Sequence, residues 1–492
     1  MKRISYFLGT LALVAAAFVA CDPDRNAQPA KPSVPQNLQQ ATQFASDILQ
    51  TYYLWSTQIQ KDLHRLNPDT CTTPAAVVQE IRYHRNGREV DHWTELSDDI
   101  DGFRNYVQGL GMTYGYELQY GEISGSGQYF LLVAAVYPDA PAGRAGLRRG
   151  DVIITLDGAP ITRTNLNNAF NSTSVTLGIT HVTRDEDGVN RIGDLEKTVR
   201  LTAENTYLNP IIAENVIDID GKNVGYLCYN AFDLRSATTL PDVFRRFKEA
   251  GIRELVLDLR YNGGGYAITE NVLGSLIAPQ ANVDAGDVFQ TEIFNDYLAE
   301  AWKQQGYETD TRFTNRHSFK MENTDVTVDI TDAKPQIEHL YAIVTGSSAS
   351  ASEGLVVGLA PYLPVTLVGR QTYGKYCAGY ILAPEDIYNE KYDFSLIKDW
   401  GMYVMVSMFA DKDGKNPAMP DGIVPDIEAD DWAFDGIALG DENEQMLAAA
   451  LRAAGKTYAT PSTVQPKEER RPALRMLEHG AGRGWLIKPL PR

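Results

Sequence analysis

The sequence has 492 residues, of which 43% are hydrophobic, so it is long enough for two or three domains with substantial cores. Its formal net charge is −19 at pH 7. This excess of carboxylates disfavours nucleic acid and anionic membrane surfaces as partners.

The start of the chain has the pattern of an export signal. A positive pair precedes a mostly apolar stretch, residues 8–20, that is too short to cross a bilayer as a helix. Residues 18–21 (FVAC) resemble a bacterial lipobox, so we predict a signal peptide over residues 1–20 and lipidation of Cys21. A cleaved secretory signal with an incidental cysteine is the alternative. Residues 21–39, rich in Pro, Gln and Asn, predict a flexible tether. The expected location is the cell envelope of a bacterium, on the periplasmic face or at the outer membrane.

A small helical domain is predicted over residues 40–107. Phe44, Ile48, Tyr52 and Trp55 follow one another at spacings of four, four and three residues. This spacing places them on one face of an amphipathic helix at the start of the domain.

The next region changes to short strands and tight turns. Residues 130–136 (FLLVAAV) predict a buried strand, and the run APAGRAGLRRGDVIITLDG follows at residues 140–158. In this run a Pro/Ala/Gly segment begins a short helix, and a Gly-Asp pair turns into a strand. The run resembles the helix, turn and strand of a PDZ domain, which predicts such a domain over residues 108–203.

The PDZ resemblance implies a binding mode. PDZ domains add a C-terminal peptide as a strand and hold its carboxylate with backbone N–H groups. The corresponding loop here is formed by Tyr114, Gly115 and Tyr116, and it departs from the usual Gly-Leu-Gly-Phe-type pattern.

The segment 204–455 alternates strands and helices. Such alternation predicts an α/β domain with crossover connections, whose active residues lie at the carboxyl ends of the strands. The predicted strands cover residues 222–229, 254–259, 340–345 and 365–369, and the predicted helices cover residues 240–247, 269–278 and 352–360.

Two motifs fall at such strand ends. Residues 258–265 (DLRYNGGG) contain three glycines, which let the backbone turn sharply and present N–H groups to an oxyanion. Residues 347–353 (SSASASE) place serines at a strand-to-helix corner, and residues 372–375 (TYGK) bring in Lys375. A lysine can activate a serine if burial lowers its pKa. Taken singly, the motifs also fit a plain turn and an ordinary helix cap.

Together with residues 421–427 (DGIVPDI), these motifs resemble the C-terminal processing, or tail-specific, serine protease family in order and spacing. The resemblance covers roughly residues 40–455. It implies a PDZ domain joined to an α/β catalytic core that uses a Ser–Lys dyad and needs no metal or cofactor. It also implies the site residues: Ser350 as nucleophile, Lys375 as general base, and the backbone N–H groups of Ala351 and Gly264 as the oxyanion hole.

The chain departs from the family at one position. Members often carry a glutamine four residues after the lysine, and here that position is Gly379, so the third residue is missing or replaced. Gln371 precedes the lysine and is more simply a surface loop residue. Ser348 and Ser352 are the rival nucleophiles.

The sequence therefore predicts a multidomain α/β protein with a small helical N-terminal domain, a β-rich PDZ-like domain and a tail-protease core, followed by a basic, Pro-rich tail at residues 456–492. The expected function is that of an exported serine endopeptidase that recognises the C-terminal tails of polypeptides. The alternative is a catalytically silent PDZ-containing binding or scaffolding lipoprotein. Three further cysteines, Cys71, Cys228 and Cys377, allow at most one disulfide, and their pairing stays open.

Overall fold

A computed structural model describes most of the chain. The described residues are 33–123, 128–184, 190–322, 324–389, 391–458, 474–476 and 485–487. The predicted signal peptide and Cys21 lie outside them. Within these ranges, no helix is long and apolar enough to cross a membrane.

The N-terminal region is mainly helical, as predicted. Its elements are α1 (Gln36–Thr51), α2 (Ser56–Ile59), α3 (Pro74–Ile81), β1 (His84–Arg85), β2 (Arg88–Glu89), β3 (Glu95–Ser97) and α4 (Ile100–Val107). Phe44 and Ile48 on α1 are fully buried, as predicted, but α1 ends at Thr51, so Tyr52 and Trp55 lie beyond this helix. The region shares one hydrophobic cluster with residues of the α/β core, Tyr403 and Met405 among them. It therefore packs directly against the core and places side chains there.

The next region has the β-rich architecture expected of a PDZ domain. Its elements are β4 (Leu110–Thr113), β5 (Tyr116–Ile123), β6 (Gln128–Val136), α5 (Pro141–Arg144), β7 (Val152–Leu156), β8 (Ala159–Pro160), α6 (Asn168–Asn171), β9 (Ser174–Thr180), β10 (Val182–Arg184), β11 (Asn190–Ile192), β12 (Lys197–Thr202) and β13 (Glu204–Tyr207). The main sheet has the order β12-β9-β7-β6-β5, so β5 is its last strand within the domain. The predicted hairpin turn is present, with φ of 51° at Asp157 and 80° at Gly158.

The described part of the core contains two large sheets and a separate two-stranded sheet formed by residues 316–321 and 324–329. Its elements are β14 (Ile211–Ile219), β15 (Lys222–Tyr229), α7 (Leu234–Glu249), β16 (Glu254–Asp258), β17 (Gly264–Tyr266), α8 (Ala267–Ile277), α9 (Gln280–Ala285), β18 (Val288–Phe294), α10 (Asp296–Gln305), β19 (Thr311–Arg312), β20 (Arg316–Met321), β21 (Thr324–Asp329), β22 (His339–Val344), α11 (Ala351–Leu359), β23 (Val365–Gly369), β24 (Cys377–Leu382), α12 (Pro384–Ile387), β25 (Gly401–Ala410), β26 (Ile427–Glu428) and α13 (Gln445–Ala453). Two short tail strands, β27 (Leu474–Met476) and β28 (Trp485–Ile487), complete the set.

The first sheet has the order β14-β15-β16-β22-β23-β26, and all its strands from β15 onward run parallel. The helices α7 and α11 make the predicted crossovers between parallel neighbours. The second sheet has the order β17-β28-β24-β25-β18-β19. The main hydrophobic core draws on α7, α8, α11 and both sheets. The predicted fold class is confirmed.

One helix begins earlier than predicted. The pattern placed Pro241 near the start of a helix, yet α7 begins at Leu234 and Pro241 lies in its interior. The start is set by Asp233, whose carboxylate accepts the N–H groups of Arg235 and Ser236 as an N-cap. The N-cap residue Asp233 therefore marks the start of this helix better than Pro241 does.

The three cysteines of the described region, Cys71, Cys228 and Cys377, are buried and free.

Candidate active site

Ser350 lies at the corner between β22 and α11, at the carboxyl edge of the first sheet. Its backbone has φ of 62° and ψ of −113°, a left-handed conformation that costs an L-residue energy and often marks a functional site. The Ala349 N–H donates to the carbonyl of Asn262 over 3.1 Å, which fixes the corner on the glycine-rich turn.

The hydrogen bonds separate the three candidate serines. The Ser348 hydroxyl donates to the carbonyl of Leu259 over 2.8 Å, and the Ser352 hydroxyl donates to the carbonyl of Asn262 over 2.8 Å. The Ser350 Oγ is buried and has no hydrogen-bond partner in the described part of the chain. A buried hydroxyl without a partner calls for an explanation. The arrangement favours Ser350 as the nucleophile and gives the other two structural roles.

Lys375 is enclosed by aromatic rings. Its side chain is fully buried, and its Nζ donates to the hydroxyl oxygen of Tyr403 over 3.1 Å. The Nζ lies 5.2 Å from the ring centroids of both Trp93 and Tyr403. Burial lowers the pKa of Lys375 to about 8, against the opposing effect of nearby Asp91. A substantial share of the amine is therefore neutral near pH 8, as a general base must be.

A single buried carboxylate, that of Glu353, joins the serine corner to the lysine loop. Its Oε2 accepts the N–H of Ser350 over 3.0 Å and the N–H of Lys375 over 2.9 Å. Its Oε1 accepts the N–H of Gly374 over 2.8 Å and the hydroxyl of Thr372 over 2.5 Å. Burial raises the pKa of Glu353 to about 7, although these four hydrogen bonds act to lower it. The sequence analysis did not identify this role of Glu353.

The Tyr403 ring lies beside Gly379, the position at which family members often carry a glutamine. A side chain at Gly379 would place its Cβ 2.6 Å from the Tyr403 ring and 2.6 Å from the Met405 methyl group. The glycine therefore makes room for the tyrosine, whose hydroxyl accepts the hydrogen bond from Lys375. Gln371 is exposed and donates to the carbonyl of Asp421 instead. Gly379 was the one sequence signal for this replacement, but it could not name a residue on the neighbouring strand.

The glycine-rich turn holds its own donor. Gly264 has φ of 108°, and its N–H donates to Asn262 Oδ1 over 2.8 Å. The amide of Asn262 donates in turn to the carbonyl of Tyr229 over 2.9 Å. The predicted oxyanion role of Gly264 stays a prediction, and it requires Asn262 to release this N–H.

The second predicted oxyanion donor is the backbone N–H of Ala351. Ala351 is the first residue of α11, where the helix dipole favours negative charge. This assignment also stays a prediction.

A buried ionic network lies under the glycine-rich turn. Asp258 accepts the Arg260 guanidinium over 2.7 Å and the Tyr226 hydroxyl over 2.9 Å. Arg260 also donates to Glu444 over 2.7 Å. Arg149, from the PDZ region, donates to the hydroxyl of Tyr261 over 2.7 Å. Asp258 thus organises the turn, and the network ties the PDZ region to it.

A cleft of about 1660 Å³ separates the PDZ region from the core. On the PDZ side it is lined by Tyr116, Leu118 and Phe170, and on the core side it reaches Gly264 and Tyr373. An extended polypeptide therefore has a path from the end of β5 to the glycine-rich turn.

The predicted carboxylate-binding loop lies immediately before β5. Gly115 has φ of 76°, and a Cβ there would come 2.0 Å from the Cβ of Ala140, so only glycine fits. The Gly115 N–H donates to the hydroxyl of Thr113 over 3.0 Å. The hydroxyls of Tyr114 and Tyr116 donate to backbone carbonyls of their own domain. The peptide-binding role of Tyr114, Gly115 and Tyr116 stays a prediction.

A metal site would need several ligating side chains close together. The described residues contain no group of three or more His, Cys, Asp or Glu side chains placed to hold a metal ion.

Comparisons with known proteins identify two domains. Residues 223–429 match peptidase family S41, and residues 132–171 match the PDZ domain family. The chain thus contains a segment that is similar to S41 peptidases and a segment that is similar to PDZ domains.

Two curated relatives carry that name. The chain is 24% identical over 289 residues to the chloroplastic C-terminal processing peptidase of Tetradesmus obliquus, covering 56% of this chain and 52% of the relative. It is 26% identical over 269 residues to the carboxyl-terminal-processing protease of Synechocystis, covering 52% and 53%. The chain therefore spans about half the length of these relatives.

A solved structure supports the fold. The crystal structure of a putative S41 protease from Bacteroides fragilis matches with a TM-score of 0.62 at 20% identity, over 84% of this chain and 96% of that one.

Proposed function

We propose that this chain, which joins an S41 peptidase domain to a PDZ domain, is a serine endopeptidase that cleaves exported polypeptides through an acyl-enzyme on Ser350. The observation that carries the proposal is the buried, unpartnered hydroxyl of Ser350 on a strained corner. Glu353 ties the backbone of that corner to the backbone of Lys375, a buried lysine of lowered pKa.

The proposed chemistry follows from these positions. The neutral amine of Lys375 takes the hydroxyl proton of Ser350 as Oγ attacks the carbonyl carbon of the scissile peptide. The resulting ammonium passes that proton to the leaving amine, and the acyl-enzyme remains. The lysine then takes a proton from water as the water attacks the ester carbonyl. The ammonium returns that proton to the Ser350 oxygen as the ester bond breaks, which releases the second product and restores both groups. The N–H of Ala351 and, once Asn262 has turned away, that of Gly264 stabilise the oxyanions.

Substrate recognition is proposed to begin at the PDZ domain. The cleft connects the end of β5 with the glycine-rich turn, so a polypeptide whose C-terminal tail is bound near Tyr116 extends toward Ser350. Strand addition supplies backbone hydrogen bonds with little dependence on sequence. Lipidation at Cys21 would anchor the enzyme in the cell envelope, where its substrates would be exported proteins.

Peptide cleavage by the wild type and by Ser350→Ala tests the proposal. We expect the variant to lose cleavage at an unchanged melting temperature. Ser347→Ala, a change to a partly exposed serine on the same loop, is the matched control and should cleave as the wild type does. A wild type that binds peptides through its PDZ domain but cleaves none of a broad panel would instead identify a binding or scaffolding protein.

A further inference from the structure

Two short strands near the C-terminus pair with sheets on either side of the cleft. β27 pairs antiparallel with β5, the last strand of the PDZ sheet, with Arg475 opposite Glu122. β28 lies in the second sheet of the core, between β17 and β24. Both strands lie in the basic, Pro-rich tail that was predicted at residues 456–492.

The position of β28 is the informative one. β17 directly continues the glycine-rich turn, and β24 begins two residues after Lys375. β28 runs parallel to β17, with Trp485 opposite Gly264, and Ile487 is also paired with Gly379 on β24. It therefore passes between the two loops that carry the candidate catalytic groups.

The geometry defines a slot one strand wide. In the second sheet β28 is the strand that joins β17 to β24. Without it, each of those strands would present an unpaired edge, and the two edges would face each other about 10 Å apart, twice the usual strand spacing. Unpaired edges of this kind bind extended polypeptide by strand addition. The slot is thus built for a polypeptide strand that makes backbone hydrogen bonds on both sides.

The two tail strands occupy both parts of the route proposed for a substrate. β27 lies on the β5 edge, where a PDZ domain binds peptides, and β28 lies in the slot. The tail runs from the β5 edge to the slot, which is the direction opposite to that of a substrate whose C-terminal end is bound at β5. Between β27 and β28 lie the eight residues 477–484, which can span up to about 30 Å when extended.

Charge also favours this occupant. Residues 461–492 contain seven Lys and Arg against three Glu, in a chain whose net charge is −19. The cleft is lined by an excess of carboxylates, those of Glu117, Asp233, Asp421, Glu428 and Asp430 among them. The basic tail is therefore attracted to it.

We propose that the tail strands β27 and β28 are an intramolecular ligand of the substrate site, which holds the enzyme in an autoinhibited state until a polypeptide substrate displaces them. In this state Ser350 and Lys375 are both fully buried. This inference rests on the proposed function, which identifies the slot as the substrate site. Binding of the tail can nevertheless be measured without any cleavage.

Binding in trans provides the first test. A chain ending at Tyr458 keeps every residue of the hydrophobic clusters, and the Ser350→Ala change prevents turnover. A fluorescent peptide of residues 471–492 should bind this truncated protein at least tenfold more tightly than the full-length Ser350→Ala protein, because the tethered tail competes at high effective concentration. The same peptide with Leu486→Pro, which loses a ladder donor, should bind more weakly. Equal binding to both proteins, or none to either, would overturn the proposal.

A disulfide trap tests the register. Cysteines at Glu122 and Arg475, which are paired residues of adjacent strands, should cross-link in the full-length chain on mild oxidation. The matched control places cysteines at Gln119 and Arg475; Gln119 lies about 10 Å further along β5, beyond disulfide reach. Cross-linking of the control at the same rate would contradict the register.

Activity of the trapped protein separates this inference from the proposed function. The oxidised Glu122–Arg475 cysteine pair should cleave peptides at least tenfold more slowly than its reduced form. If the tail cross-links and binds in trans but no form of the protein cleaves peptides, the tail is still a ligand of the slot and the proposed peptidase activity is rejected. Cleavage that is unaffected by oxidation would reject autoinhibition and leave the peptidase in place.

Discussion

The serine half of the candidate active site is built from two short sequence motifs, whereas the lysine half is held by side chains from three separate parts of the chain. Ser350 owes its conformation to the corner between β22 and α11 and to the adjacent glycine-rich turn. Lys375 is positioned by Trp93 from the N-terminal region, by Tyr403 from β25 and by its own loop. Glu353 connects the halves. The conformation of the nucleophile therefore depends on two short sequence motifs. The pKa of the base depends on how three parts of the molecule pack together.

The largest expected effect comes from removing either half. Ser350→Ala and Lys375→Met should each lower kcat/KM by at least about 10³-fold, because each removes one member of a unit that acts together. The double variant should be no worse than the single ones. Steady-state peptide cleavage, with circular dichroism as the check on folding, measures this. Additive losses would mean that the two groups act independently.

The next largest loss of activity is expected from breaking the connection that Glu353 makes between the two halves. Glu353→Gln replaces one acceptor oxygen with an amide that faces N–H donors, so at least one buried N–H loses its partner. We expect activity about 10²-fold lower and a free energy of unfolding reduced by about 2–4 kcal/mol. Urea denaturation and peptide cleavage measure the two effects. Glu300→Gln, on the exposed face of α10, is the control; a loss of the same size there would show that the effect does not come from the connection.

The pH dependence tests the lysine half alone. The pKa of Lys375 is lowered to about 8 by burial, and only the neutral amine can take the serine proton. Activity should therefore rise through pH 8 and fall about tenfold per pH unit well below it. Measurement of kcat/KM between pH 6 and 10 gives the midpoint. A midpoint near 6.5 that disappears on replacement of one histidine would assign the base to that histidine instead.

The same comparison explains what could be read from the sequence. The corner and the glycine-rich turn are contiguous motifs, so Ser350, Ala351 and Gly264 could be nominated from local patterns and from the family resemblance. Trp93 and Tyr403 act through tertiary packing, and no local pattern marks an aromatic ring as the neighbour of a distant lysine. The absence of a side chain at Gly379 signalled only that something had changed. Pairing of the tail was missed for a related reason, since three-residue strands carry too short a pattern to predict.

Tyr403→Phe should sharpen the picture of the lysine half. The change removes the oxygen that accepts the Lys375 hydrogen bond and keeps the ring. We expect kcat to fall about 10–30-fold with KM little changed, because the amine loses its orientation. The midpoint of the pH profile should move below that of the wild type, since a hydrogen bond to the ammonium form raises a lysine pKa and its loss lowers it.

The control for this variant is Tyr380→Phe, which alters a buried tyrosine on β24. A merely structural role for Tyr403 would lower stability without moving the pH midpoint. An unmoved midpoint together with wild-type kcat would show that Tyr403 does not orient the lysine.

The smallest effect is expected from Trp93, the contribution of the N-terminal region. Its ring lies 5.2 Å from the Lys375 Nζ, and a cation over an aromatic face is stabilised by about 0.5–2 kcal/mol. Trp93→Phe retains a weaker ring and Trp93→Leu retains none, so the pH midpoint should fall stepwise, by less than about one unit for Phe and further for Leu. The indole N–H has no hydrogen-bond partner among the described residues, so its removal leaves no acceptor unpaired. If both variants kept the wild-type midpoint, the N-terminal region would only cover Lys375, and the pKa of Lys375 would be set by the core alone.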